Sequence, residues 1–327
     1  MKKINISTLT TKYLSVGAAV LLFFAAFITG SMLYQGFFSV QNFINLFINN
    51  SHLLVSATGM TLVILSGGID LSVGSVLAFT TMIVASLTNA GVDPSLSIGI
   101  ALLSGSLIGL SMGLIIACWN IPPFIATLAG MFFARGACYL ISVQSISISN
   151  PTLRKLAHWK LGLGPDSFVS FNVILALVVI VAGIYISLYT KFGRNIYAIG
   201  GNESSAMLMG IPIKRTKVLI YTFNGFCSAV AGVAFGLSLL SGYGLHGLGM
   251  ELDVIAAVVI GGTLLAGGTG YVFGSVFGVL TLGIIQALIQ FNGRINSWWT
   301  KIIFGVLLLI FIGLQRFIVE LGDKKSS

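Results

Sequence analysis

The sequence predicts an all-α polytopic membrane protein with about ten transmembrane helices, and three observations carry that prediction. Of its 327 residues 56% are hydrophobic and 8% are charged, where a soluble domain carries about 25% charge. Apolar runs long enough to cross a bilayer recur, and residues 173–188 hold no charge at all. The few basic residues sit in short segments between those runs. A soluble globule would need more charge to cover its surface, and a disordered chain would need lower hydropathy. A β-barrel would alternate apolar and polar residues over segments of about ten. The net charge of +9 does not indicate nucleic acid, because the basic residues flank apolar spans.

The elements follow in order. Residues 14–33 come after Lys2, Lys3 and Lys12. The run is longer than the apolar part of a signal peptide and lacks a small-x-small cleavage signal, so it reads as an uncleaved first span. Residues 38–50 put Phe43, Leu46 and Phe47 on one helical face and suit an interfacial helix. Further spans are expected at 53–65, 73–87, 96–118, 124–141, 169–189, 218–240, 253–266, 271–291 and 297–317. With both termini in the cytoplasm, the inner segments hold Lys2, Lys3, Lys12, Lys191, Arg194, Lys214, Arg215, Lys217, Arg316, Lys324 and Lys325. The outer segments hold Arg154, Lys155, Lys160, Arg294 and Lys301, and Arg135 lies within a span. The bias of eleven to five supports this orientation. The chain then forms one transmembrane domain over 1–327, with an outer segment at 142–168 and a long polar inner loop at 191–217.

Lipid offers helices little hydrophobic reason to associate, so close packing requires small residues. Gly105, Gly109 and Gly113 recur every four residues, as do Gly270, Gly274 and Gly278. The stretch from Leu65 to Val76 matches that from Leu265 to Val276 at six of twelve positions, which raises the expectation of two related halves. Cys118, Cys138 and Cys227 lie in or beside apolar runs and read as small buried residues rather than as a disulfide framework.

Four residues are candidates for a substrate path. Asp70 lies between two apolar runs, behind Gly67 and Gly68. A carboxylate at membrane depth marks a pathway by default, although Asp70 also suits a cap that accepts from the N–H of Ser72 or Val73. Arg135 inside the fifth span either hydrogen-bonds a polar solute, pairs with Asp70 or snorkels outward. Asn120 opens Asn120-Ile-Pro-Pro-Phe-Ile-Ala-Thr127, where proline breaks the helix. The break reads first as a reorienting turn and second as a path wall containing Asn120 and Thr127. Asp253 reads as an N-cap, and with Glu251 it lacks any companion for catalysis. His52, His158 and His246 are scattered in sequence, so no metal site is expected. No Gly-x-x-x-x-Gly-Lys-[Ser/Thr] and no Gly-Lys pair occurs, so any ATP and Mg would be held by another chain.

Within the inner loop, Asn202 followed by Glu203, Ser204 and Ser205 reads as an N-cap with an acidic first turn. Ala206, Met207 and Leu208 continue the helix, and Gly210 ends it before Pro212. A short helix there suits docking to a partner as well as it suits an ordinary ordered loop.

From about residue 50 to 318 the chain resembles the permease subunit of bacterial ABC sugar importers of the ribose/galactofuranose type. The resemblance lies in Ile64-Leu-Ser-Gly-Gly-Ile-Asp-Leu-Ser-Val-Gly74, Ile121-Pro-Pro-Phe-Ile-Ala-Thr-Leu-Ala-Gly130, Ala198-Ile-Gly-Gly-Asn202, Met209-Gly-Ile211 and Val259-Ile-Gly-Gly-Thr-Leu-Leu-Ala-Gly-Gly268. Gly130-Met-Phe-Phe-Ala-Arg-Gly136 and Ser297-Trp-Trp-Thr-Lys301 are most similar to the galactofuranose type. The resemblance implies a multi-pass protein of the bacterial inner membrane with no enzymatic activity of its own. It implies a separate ATPase that binds ATP and Mg, a second permease (for the galactofuranose type a related but different chain) and a periplasmic sugar-binding protein. It also implies that residues 202–211 form the coupling helix, with Asn202, Glu203, Ser204, Ser205, Ala206, Met207, Gly210 and Ile211 in contact with the ATPase. The competing expectations are a permease for another pentose or hexose such as ribose, and a proton-coupled secondary carrier in which Asp70 titrates. A membrane glycosyltransferase would need clustered acids, and the eight acids here are dispersed.

Overall fold

Helices occupy each of the ten apolar runs. The computed structural model describes residues 6–164, 167–293, 296 and 298–324. Lys2, Lys3, Arg294, Ser297 and Lys325, on which parts of the charge count, the tenth span and one motif rest, lie outside the described residues. In chain order the elements are α1 (Ile6–Leu33), α2 (Val40–Asn49), α3 (Ser51–Leu65), α4 (Val73–Asn89), α5 (Pro94–Trp119), α6 (Pro123–Ile141), β1 (Ile146–Ser147), α7 (Pro151–Ala157), β2 (Lys160–Gly164), β3 (Ser167–Ser170), α8 (Phe171–Tyr189), α9 (Lys191–Gly201), α10 (Glu203–Leu208), α11 (Ile213–Leu239), β4 (Ser241–Gly242), α12 (Met250–Ile260), α13 (Val272–Asn292) and α14 (Trp298–Lys324).

Among the described residues six helices are long and apolar enough to cross a bilayer unaided, namely α1, α5, α6, α8, α11 and α13. The expected interfacial helix is α2, which meets α3 at a 58° bend. The run 253–266 differs from expectation. Its helix, α12, has 11 residues and ends at Ile260, because Gly262, Gly267 and Gly268 all adopt positive φ and turn the chain back.

Helix α11 is the central post, wrapped by α3, α4 and α5. The glycine stripe of α5 lies against it. A Cβ added at Gly105 would lie 2.6 Å from Ala229 Cβ, and one at Gly113 would lie 2.9 Å from the Val218 backbone. Gly274 and Gly278 pack in the same way on the α12 backbone, whereas Gly270 sits in the preceding turn with φ +146°. Helix ends follow local rules: Asp93 caps α5 by accepting from Ser95 N–H at 2.8 Å, with Pro94 in the first turn.

One end of the bundle carries a pairing of β1 with β4, the β2–β3 hairpin and α7. Asn89 at the end of α4 ties to Ser147 and Ser149 there. The opposite end carries α9 and α10, which rest on the start of α11.

The two stretches that match in sequence occupy equivalent places. Each is a turn that leads into an outgoing helix, α4 or α13, and the two turns touch. A Cβ added at Gly267 would lie 2.8 Å from Gly67 N. Gly268 N–H donates to Leu65 O at 2.8 Å.

Candidate functional site

The loop 191–217 builds a capped, outward-facing tip. Asn202 Oδ1 accepts from Ser205 N–H at 2.8 Å and starts α10. At its end Gly210, with φ +76°, lets Ile211 N–H reach Ala206 O at 3.1 Å and Gly210 N–H reach Met207 O at 3.0 Å. Glu203 pairs with Lys217 at 2.7 Å. Of the expected coupling residues, Ala206 points inward and is fully buried, while Asn202, Glu203, Ser204, Ser205, Met207 and Gly210 are exposed. Two residues were missed. Leu208 is 88% exposed and Met209 70% exposed, and with Met207 they form an apolar knob on a polar loop. The signal was present in the sequence as three consecutive large apolar residues at a helix end.

This tip is bolted to the interior. Helix α9 ends on Gly200 and Gly201, and Gly200 touches the Leu65 carbonyl while a Cβ there would lie 2.5 Å from Gly268 N. A Cβ at Gly268 would lie 2.8 Å from Gly201 Cα. Tyr197 Oη donates to Gly270 O at 2.8 Å. Burial, and secondarily Tyr271, push the Tyr197 phenol well above its ordinary pKa, so it stays a donor. Three glycine pairs, 67–68, 200–201 and 267–268, therefore meet at one point, and only residues without side chains allow three backbones to approach so closely.

Asp70 lies in the turn between α3 and α4. Its Oδ1 accepts from Ser72 N–H at 2.8 Å and from Ser72 Oγ at 2.7 Å, and its Oδ2 accepts from Asn224 Nδ2 at 2.8 Å. The expected bond from Ser72 N–H is present, but it closes the turn before α4, whose N-cap is Ser72 and carries no side-chain cap bond. The two ion pairs among the described residues, Lys217–Glu203 and Lys301–Asp253, lie elsewhere. Asn224 Oδ1 and Tyr221 Oη, both enclosed beside this turn, have no hydrogen-bond partner among the described residues. Thr127, fully buried, donates to Pro123 O at 2.8 Å and lies 3.5 Å from Ile69 O, so the start of α6 seats on the Asp70 turn.

The other path candidates lie apart from Asp70. Asn120 is the exposed, left-handed end of α5, φ 53°, and makes the reorienting turn. Arg135 does not reach Asp70. Its Nη1 donates to Gly244 O at 2.5 Å and His246 O at 2.8 Å. Asp253 is not the N-cap of α12. Gly249, φ 77°, holds that position, Asp253 stands in the first turn and Lys301 donates to it at 2.5 Å. His52 and His158, far apart in sequence, share the wall of a cavity of about 500 Å³ at the β-hairpin end, with Trp159, Asn172 and Phe235.

Asp70→Asn is expected to keep the bond from Ser72 N–H, and the Asn224 amide can turn its free oxygen toward the new Nδ2. Asp70→Ala removes both partners and leaves a buried amide unsatisfied, a cost of about 1–3 kcal/mol. Melting of the purified variants in detergent checks the order: Asp70→Ala well below wild type, Asp70→Asn near it.

Residues 42–312 match the protein family described as branched-chain amino acid transport system / permease component. The chain is 48% identical to the inner membrane ABC transporter permease protein YjfF of Escherichia coli (strain K12), over 90% of this chain and 89% of that one. It is 42% identical to the fructose import permease protein FruG of Bifidobacterium longum, over 94% and 92% of the two chains. It is 36% identical to the ribose import permease protein RbsC of Escherichia coli (strain K12), over 86% and 88%. No solved structure matches.

Proposed function

Because the chain belongs to the branched-chain amino acid transport system / permease component family, we propose that it carries galactofuranose across the inner membrane, driven by an ATPase that grips α10. The coarser statements follow from its relatives: it is the multi-pass inner-membrane permease of an ABC sugar importer and not an enzyme. Partners of two kinds come with that class, an ATPase and a substrate-binding protein.

The single observation that supports the coupling assignment is the exposed apolar tip at 207–209, borne on a doubly capped helix. An apolar tip of that size in water is a docking surface awaiting its partner. A push on it passes through the buried Ala206 and α9 to Gly200, and from there to both turns at once. The sugar assignment is supported by Gly130–Gly136 and by the motif that ends at Lys301, which resemble the galactofuranose type. Ribose and fructose, named for two relatives, share with galactofuranose a five-membered ring form, so a close alternative is another sugar in that form. For the second permease we propose a related but different chain.

Within the chain we assign Asp70, Asn120, Thr127 and Arg135 to the path. Expected result: this chain with its ATPase, second permease and binding protein in proteoliposomes imports the sugar only with ATP. Uptake by this chain alone under a proton gradient, lost in Asp70→Asn, would establish the proton-coupled carrier instead. ATP-driven uptake that persists in Asp70→Asn excludes it.

A further inference from the structure

Helix α12 is too short to cross a bilayer: its 11 residues rise about 16 Å, half of the ~30 Å core. The rest of that crossing is a run of turns, in which His246 N–H donates to Tyr243 O at 3.0 Å and Met250 N–H to Gly247 O at 3.1 Å. Leu77 of α4 packs on Gly232 of α11, so α4 begins about 16 Å inside the outer end of α11. Residues 242–247 descend along α4 from Thr81 and Ala85, against which Gly242 packs, to Gly74, against which Gly247 packs. Helix α12 starts where that descent ends. A Cβ added at Gly74 would lie 2.7 Å from Glu251 Oε2. The third crossing is the mirror case, with the irregular turn 66–72 below and α4 above. The two half-helices therefore present their N-termini to each other near mid-depth.

Irregular backbone at that depth is tolerated only where protein buries it or where it lines a wet cavity. Both conditions operate here, one on each face. The inner face is held: Tyr243 N–H donates to Thr81 Oγ1 at 3.3 Å, and His246 packs on Phe235 and Tyr243 with ring centroids 5.1 and 5.8 Å apart. The outer face is bare. Leu245, Leu248 and Leu252 are exposed, and Arg135 and Glu251 beside them are half-exposed. Helix α8 shows what a lipid-facing surface looks like in this chain: Val178, Val181 and Tyr185 are exposed there with no charged residue among them. Charged groups half-exposed at membrane depth do not face lipid.

The donors and acceptors left over define a ligand. The guanidinium of Arg135 spends Nη1 on two carbonyls and keeps other N–H donors free. Glu251 Oε2, enclosed beside Gly74, has no hydrogen-bond partner among the described residues. A site offering a cation and a carboxylate together has no net charge with which to favour an ion of either sign, and its donors and acceptors suit a neutral molecule whose groups both donate and accept. The leucines beside them suit its C–H faces. We propose that the irregular segment 241–249, with Arg135, Glu251 and His246, fronts the water path and holds the crossing solute, a neutral polyhydroxylated sugar, by hydrogen bonds. This rests on the assignment of the chain as a sugar permease and adds where the sugar is met.

The test uses the complete complex in proteoliposomes, with Cys118, Cys138 and Cys227 replaced by Ser. Leu245→Cys and Leu248→Cys are expected to react with a charged, membrane-impermeant maleimide at least tenfold faster than Val178→Cys and Val181→Cys on α8. During ATP turnover, whichever of galactose, ribose and fructose the complex imports fastest slows that reaction at least threefold. Glu251→Gln is expected to lower sugar imported per ATP hydrolysed at least fivefold, a ratio that simple loss of folded protein does not change. Equal labelling on the two faces, or labelling indifferent to an imported sugar, overturns the site. Failure of the parent complex to import any of the three sugars overturns the sugar assignment instead, while the labelling pattern still reports whether this face is wet.

Discussion

Leu208→Asp is expected to detach the ATPase from this permease and abolish import, while the chain still inserts. Leu208 is 88% exposed at the crown of the α10 tip, so the substitution disturbs no packing within the chain. A leucine fully buried in a partner's groove contributes about 1.5–3 kcal/mol, which is roughly 10- to 150-fold in affinity. A carboxylate forced into the same groove adds its own desolvation cost. The ATPase recovered with the purified permease in detergent measures the loss. A variant that retains it as well as wild type would remove α10 from the interface. Lys217→Ala, which breaks only the ion pair to Glu203 on the same surface, is the matched control and is expected to cost under about 1 kcal/mol. Gly210→Arg is expected to act in the same direction as Leu208→Asp. Nothing lies within 4 Å of a Cβ at that position, so the new side chain enters the docking face, and φ +76° strains any residue but glycine. Replacing Glu203-Ser204-Ser205 likewise removes the first turn of the docking helix.

Gly200→Val is expected to abolish import by a different route, with the ATPase still bound. A side chain there has no room, because the Leu65 carbonyl is in contact and Gly268 N would lie 2.5 Å from its Cβ. Overpacking of this kind costs about 1–3 kcal/mol or more, and relief is available only by separating α9 from the two turns. The exposed tip of α10 is untouched by that separation, so docking survives while its motion no longer reaches Gly67 and Gly267. Gly201→Ala is the control one residue along, with nothing within 4 Å of the added carbon and uptake expected close to normal. Loss of ATPase binding in Gly200→Val, or normal uptake despite it, would defeat the linkage.

The sequence-legible part was whatever a local rule governs. Apolar run length located the six long apolar helices, α1, α5, α6, α8, α11 and α13, because a bilayer leaves an isolated span no other way to satisfy its backbone. Glycine spacing located the α5–α11 seam, and Asn202 and Gly210 located both ends of α10. The bond from Ser72 N–H to Asp70 was legible in the pattern around Asp70. What was hidden depends on partners distant in the chain. Nothing in the neighbours of Arg135 says that its guanidinium meets the carbonyls of Gly244 and His246, 109 and 111 residues away, rather than Asp70. Nor does hydropathy say that the eighth helix stops at Ile260, since Leu264, Leu265 and Ala266 sustain the apolar average through the turn that follows. Asp253 was read as a cap because the helix was expected to begin there. It begins earlier because Gly249 adopts φ 77°.

The brevity of α12 bears on how the chain is made. A translocon releases a segment into lipid according to the hydrophobicity of about one membrane-length of helix, and 241–260 presents about half of that as helix and the rest as turns. The side chains that tie those turns down, Thr81 accepting from Tyr243 N–H and Arg135 donating to Gly244 O and His246 O, belong to segments synthesised more than a hundred residues earlier. The eighth segment can therefore leave the insertion channel only when α4 and α6 stand beside it as a receiving wall. Biogenesis of this protein is expected to hold its C-terminal third at the channel until the earlier two-thirds have assembled.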